Sequence, residues 1–156
     1  MLFFRERFPQ EVIRILSDQA NCLRSQSLGD YAMDKLTHYR QCIKTLLEAQ
    51  SRHPSNTPDL ESQLIFDQEG DHYLWLNVGW VDLEYVYSCF LHFDIKDGKI
   101  WIQRNRTETD IAQAWVEMGV PKEDLVLGLH PPYKRPYTGY GMPQLEQINI
   151  NVKSLR

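Results

Sequence analysis

The stretch that decides the fold is HYLWLNVGWVDLEYVYSCFLHFDIKDGKIWIQR, residues 72–104. Its apolar residues recur at every second position, and turn-forming residues interrupt it twice. It therefore reads as three strands: HYLWLNVGWV, EYVYSCFLHFDI and KIWIQR. Between the last two, Asp97-Gly98 is a two-residue hairpin signal, because both central positions of that turn need positive φ. One step upstream, SQLIFD (62–67) reads as a further strand, joined through Glu69-Gly70. Connections this short predict an antiparallel meander. Strict alternation puts Leu74, Leu76, Val78 and Trp80 on one face of the second strand. In the third it groups Tyr85, Tyr87, Cys89, Leu91 and Phe93, with Ser88 and His92 on the other side. Tyr73 and Trp75 then lie on a second face together with Trp101.

On either side of these strands the period becomes helical. MDKLTHYRQCIKTLLEAQSR (33–52) sets Leu36, Tyr39, Ile43, Leu46 and Leu47 on one stripe suited to packing on a sheet. PQEVIRILSDQANCLR (9–24) repeats the pattern with Val12, Ile13, Leu16, Ala20 and Leu23, and Pro9 suits a first helical position. Pro54 and Pro58 make HPSNTPDLES a loop. After the strands, TETDIAQAWVEMG predicts a short helix with Thr107 as N-cap, Asp110 as its weak capping partner and Gly119 as its stop. Pro121 opens a helical turn, and LVLGL is a candidate last short strand. The expected class is α+β: an antiparallel meander of about four to five strands with N-terminal and C-terminal helices packed on one face.

A chain of 156 residues, 42% of them hydrophobic, can build one core. Its 17 basic residues are outnumbered by 21 acidic ones, giving a net charge of −4. Tight non-specific binding to DNA needs a dense basic surface, so direct DNA binding is not expected. Cys22, Cys42 and Cys89 are odd in number and share no Cys-x-x-Cys spacing, which argues for reduced thiols rather than a disulfide framework or a zinc site. No apolar run nears the roughly 20 residues needed to span a bilayer, and MLFFRERFPQ lacks a signal-peptide core. The expected setting is cytoplasmic, without a membrane partner.

Chemistry is harder to find. His38, His53, His72, His92 and His130 are scattered, and none has a His or Cys at ligand spacing, so no metal site, cofactor site or catalytic residue is expected. His92 within a strand reads as a packed or solvated histidine. Asp94, Asp97 and Lys99 have the spacing of a restriction-type nuclease, but Asp97-Gly98 is better explained as a turn. Candidate partner-binding residues remain. Arg104 and Arg106 form one basic knot, Lys134 and Arg135 another; either meets acidic groups or phosphate, or is simply solvated. Trp75 and Trp101 on the second face offer a ring surface unless the C-terminal segment covers them. That segment, HPPYKRPYTGYG (130–141), has three prolines and reads as a rigid, extended strap, with Tyr137 and Tyr140 able to pack across a sheet.

From residue 33 to about 142 the chain resembles the XisI family, controlling factors for excision of the fdxN element in cyanobacteria. The resemblance is carried, in order, by MDKLTHYRQCIKTLL, LNVGWVDLEYVY, LHFDIKDGKIWIQ, the TE of RTETDIA, GVPKEDLVLGLHPP and RPYTGY. It implies a small α+β protein without known catalytic residues that acts beside a second factor, XisH, in DNA recombination during heterocyst differentiation. The chain departs from the family at Arg104-Asn105-Arg106, where an acidic residue and Gly are usual. It also departs in residues 143–156, a C-terminal tail beyond the family's usual end. Residues 1–32 precede the usual start at Met33 and read either as a helical extension or as a misassigned start. The expected role is a non-enzymatic accessory factor that binds an XisH-like protein. A recombinase complex on DNA and a second copy of the chain are further partners of this reading. The alternative is an antitoxin-like protein that neutralises a nuclease-like XisH. An enzyme using His92 or His130 is the third reading, and neither has a visible partner.

Overall fold

The computed structural model describes residues 31–52 and 57–141. Within them the order is helix α1 (Tyr31–Ser51), strands β1 (Leu60–Asp67), β2 (His72–Val81), β3 (Glu84–Lys96) and β4 (Lys99–Asn105), helix α2 (Ile111–Glu117), a 3-10 turn (Lys122–Asp124), strand β5 (Leu125–Val126) and a second 3-10 turn (Arg135–Thr138). The predicted helix over residues 9–24 and the tail from 143 lie outside the described residues. No helix among those described is long and apolar enough to cross a membrane.

The five strands form one sheet in sequence order. The first four make the expected antiparallel meander. The fifth corrects it: β5 runs parallel to β4, pairing Ile100 with Leu125 and Trp101 with Val126. A parallel neighbour needs a crossover connection, and α2 supplies it. The turn at Asp97 and Gly98 has φ of 52° and 69°, as its residue types require. Those angles also settle Asp97-Gly98-Lys99 as a hairpin rather than a nuclease triad.

Both helices cover the same face of the sheet. The α1 stripe delivers Tyr39, Ile43, Leu46 and Leu47 into a core shared with Leu91, Phe93, Ile95, Ile100 and Ile102. Trp115 of α2 is fully buried and meets Phe93 edge-on at 4.8 Å. Side chains of this size contribute about 2–3 kcal/mol each on burial. Two polar ties lock α1 in place. Arg40 grips Asp71 in the β1–β2 turn through two hydrogen bonds of 2.8 Å, while Tyr39 and Lys35 both reach the buried Asp124 ahead of β5.

Two further expectations need correction. The N-cap of α2 is Asp110, whose carboxylate accepts from the Gln113 N–H, and not Thr107. Thr107 instead turns back onto Asn105 Oδ1, so Asp110 takes the cap three residues later. The faces of the sheet also differ from strict alternation. Between β2 and β3 the register shifts by one residue, leaving Phe90 as an extra residue between the pairs Leu76–Cys89 and Trp75–Leu91. Tyr73 is consequently buried under the helices, and Trp75 packs against the same core; neither is on an open second face. Beyond the bulge Tyr85 and Tyr87 leave the core face altogether and are exposed.

Candidate functional site

The face of the sheet away from the helices carries a cluster built on one carboxylate. In an antiparallel pair, directly opposed residues share a face, so the register His72–Asp94 and Asp94–Trp101 lines these three up across β2, β3 and β4. His92, two residues before Asp94, points the same way. A second shift of register, between β3 and β4, leaves Gln103 as an extra residue. Bulges re-aim side chains, and here the Gln103 amide is turned onto Asp94.

Asp94 is buried and accepts from every side. Its Oδ1 takes both imidazoles, His72 Nδ1 at 2.7 Å and His92 Nε2 at 2.9 Å. Its Oδ2 takes Gln103 Nε2 at 2.8 Å and Lys96 Nζ at 2.9 Å. Burial acts to raise the carboxyl's pKa, but the hydrogen bonds from His72, Lys96 and Gln103 and the charge of His92 outweigh it. The group is held well below the ordinary carboxylate range. Room for the Gln103 side chain comes from Gly128, where a Cβ would lie 2.6 Å from its Oε1.

The strap closes beside this cluster. Arg135 stacks over Trp101, its guanidinium 5.3 Å from the ring centroid, and donates to the carbonyls of His130 and Gly128. Lys99 donates to Gly141 O at 3.1 Å and holds the strap's far end. Between strap and sheet runs a shallow groove lined by Lys99, Trp101, Pro132, Arg135, Pro136 and Tyr140. Trp101 is thus covered by the C-terminal segment, while Lys134 and Tyr137 point outward and are exposed.

A third group lies further along β3. Arg106 hydrogen-bonds Ser88 Oγ at 2.6 Å and sits over the Phe90 ring, which in turn lies 5.1 Å from Trp75. Trp75 Nε1 donates to Ser62 Oγ. Arg104, opposite His92, is exposed and acts against the upward push that burial gives the Cys89 thiol. The seven candidate residues therefore separate. Trp101 and Arg135 form one contact, Trp75 and Arg106 meet only through Phe90, which each of them touches, and Arg104, Lys134 and Tyr137 stand at the surface.

Sequence reasoning missed two features. The His72–His92–Asp94 cluster is one: its ligand-type atoms all lie within 4.8 Å of one another, the arrangement the histidine spacing had argued against. Without the bulge at Phe90, His72 would share a face with Phe93 and be walled off from Asp94. The His-x-Asp pair on one strand was the available signal. The other is the tip of the β2–β3 hairpin. Trp80 and Tyr85 pair across the strands, ring centroids 5.3 Å apart, and are 52% and 56% exposed. Tyr87 is 68% exposed and Leu83, in the turn, 94%. Trp-Val-Asp-Leu-Glu-Tyr, apolar residues bracketing a two-residue turn, was the signal there.

Fold and surfaces together define a small α+β protein: helices on one side, a carboxylate cluster beside a proline-rich strap on the other, and an aromatic hairpin tip. The chain belongs to the XisI family, whose model, described as XisI protein, matches residues 33–142. A solved XisI-like protein from Anabaena variabilis ATCC 29413 is 51% identical, with a TM-score of 0.66 over 69% of this chain and 99% of that one. A second structure, described as the fdxN element excision controlling factor XisI from the same organism, is 36% identical, with a TM-score of 0.62 over 68% and 96%. Among curated proteins none matches.

Proposed function

We propose that this chain is a non-enzymatic accessory factor in the control of DNA excision or rearrangement, acting by binding an XisH-like protein. The observation that carries the reading is the hairpin tip, offered by a chain 36% identical to a protein described as an excision controlling factor. Trp80, Leu83, Tyr85 and Tyr87 expose large apolar side chains that the chain's own core does not use. Aromatic anchors of this kind dominate protein–protein binding energy. Exposed Lys134 and Tyr137 on the strap are a second contact, and the anchored Trp101–Arg135 pair and the Trp75–Phe90–Arg106 row hold the flanking surface in shape. Burial pushes the Cys42 thiol up to about 12, which suits a packed residue and not a nucleophile.

Co-expression with an XisH-like protein, followed by size-exclusion chromatography and titration calorimetry, tests this. A complex is expected at micromolar concentration, weakened at least about tenfold by Trp80→Ser or Tyr87→Ser. Absence of a complex at that concentration sinks the reading. A complex indifferent to both substitutions moves the interface to the strap, where Lys134→Glu and Tyr137→Ser become the test.

A further inference from the structure

We propose that His72, His92 and Asp94 form a binding site for a divalent transition cation of the zinc class, a role independent of partner binding through the hairpin tip. Three ligand-type atoms converge, His72 Nδ1, His92 Nε2 and Asp94 Oδ1, all within 4.8 Å of one another. Two imidazoles and a carboxylate are the donor set such ions prefer, at metal–ligand distances of about 2.0–2.2 Å. The nitrogens stand 2.7 and 2.9 Å from Oδ1. Side-chain adjustments of about half an ångström would open that space for an ion at these bond lengths.

Asp94 is set up as a ligand. Oδ2 accepts from the Gln103 amide, so Oδ1 is fixed in direction, as outer partners of metal-bound carboxylates commonly arrange. The proton changes are simple. A neutral histidine carries one ring N–H, so His72 would shift its proton to Nε2 and His92 to Nδ1, freeing a lone pair on each ligating nitrogen. A ring that starts charged would release one proton instead. The side chains of His72 and His92 are 46% and 32% exposed, which leaves an entry path and at least one coordination position for water.

Two positive side chains face the cluster, Lys96 on Oδ2 and Arg104 opposite His92. They raise the question of an anion instead, but the buried centre of the cluster is itself a carboxylate, which repels one. Lys96 is half-exposed, so its ammonium can turn to solvent once the carboxylate is neutralised by an ion. Its charge opposes the cation, and that gives the proposal a sign to test.

The experiment titrates the chelator-stripped full chain with zinc by calorimetry and with cobalt by visible absorption. One equivalent is expected to bind, with weak d–d bands and no thiolate charge-transfer band. His92→Gln and His72→Gln each weaken binding at least about tenfold, Gln103→Leu by about 10–100-fold, and Lys96→Gln tightens it. His130→Gln leaves it unchanged. Circular dichroism checks that each variant is folded, and half-exposed His72 keeps a readout if the more buried positions do not fold. Binding undiminished in both histidine variants overturns the proposal. So does a thiolate band, which would place the metal at a cysteine, and so does failure of zinc to bind the native chain.

Discussion

Strands β2 and β3 pair from His72–Asp94 at one end to Val81–Glu84 at the other, yet the two ends are built for opposite purposes. At the base, helices cover one face, where Tyr73 and Phe93 are fully buried, and a hydrogen-bonded carboxylate holds the other. At the tip, Trp80, Leu83, Tyr85 and Tyr87 stand in solvent. The bulge at Phe90 divides these regimes. Pairing alone therefore says little about which residues stabilise this chain. Stability resides where both faces are covered, and the tip is spare surface available for recognition.

Substitution at the base should cost most. Asp94→Ala removes the shared acceptor of His72, His92, Lys96 and Gln103, and should destabilise by about 3 kcal/mol, given the worth of hydrogen bonds to a buried charge. Urea unfolding with an unchanged m value checks this; a loss below about 1 kcal/mol would show that the four donors rehydrate freely. Acid sharpens the same point. A carboxylate held low in the folded chain adds stability above its unfolded value, about 3.9, and loses it as pH falls toward the lower folded value. Between about pH 5 and pH 2 the native chain should lose stability more steeply than Asp94→Asn. Parallel slopes in the two would remove Asp94 from the acid transition.

Gly79, where the exposed end of the β2–β3 hairpin (the arm) leaves the helix-covered body of the sheet, should rank next. Its φ is 146°, and a Cβ there would lie 2.0 Å from the carbonyl oxygen of Asp59, which accepts from the Trp80 N–H. Gly79→Ala must therefore push the chain entering β1 away from β2, at a cost of about 2 kcal/mol. Hydrogen exchange at the Trp80 amide should speed up with it. A stable variant with unchanged protection would mean that the arm's root is looser than its geometry implies.

The same contrast explains what the sequence disclosed. Element positions followed from local signals: β2 was read residue for residue, and the α1 stripe buried Tyr39, Ile43, Leu46 and Leu47, with Leu36 partly buried at its edge. Asp97-Gly98 turned as its side-chain types demanded. Faces were lost because they depend on an unbroken count of two, and Phe90 and Gln103 each add one residue. Phe90 looks like any other apolar strand residue, and nothing local marks it as extra. One miscount hid both the burial of Tyr73 and the meeting of His72 with Asp94. The strap was legible as a closing segment, but it is turned rather than extended, since Arg135–Thr138 form a 3-10 turn, and the seating of Arg135 on Trp101 is a long-range contact that no spacing encodes. The parallel pairing of β5 was similarly invisible, since a two-residue strand carries no direction of its own.

Leu83→Ser should have the smallest effect on stability and is the sharpest test of the comparison. At 94% exposure the side chain loses almost no burial on substitution, so the change should stay within about 0.5 kcal/mol. If the tip is spare surface, the same substitution should still weaken a partner complex, because a side chain exposed in the free chain can be buried in the bound one. Thermal unfolding and partner titration on one preparation separate the two quantities. A variant that loses stability and keeps affinity would reverse the assignment: the arm would then be fastened to its own body, and the recognition surface would have to lie on the strap around Lys134 and Tyr137.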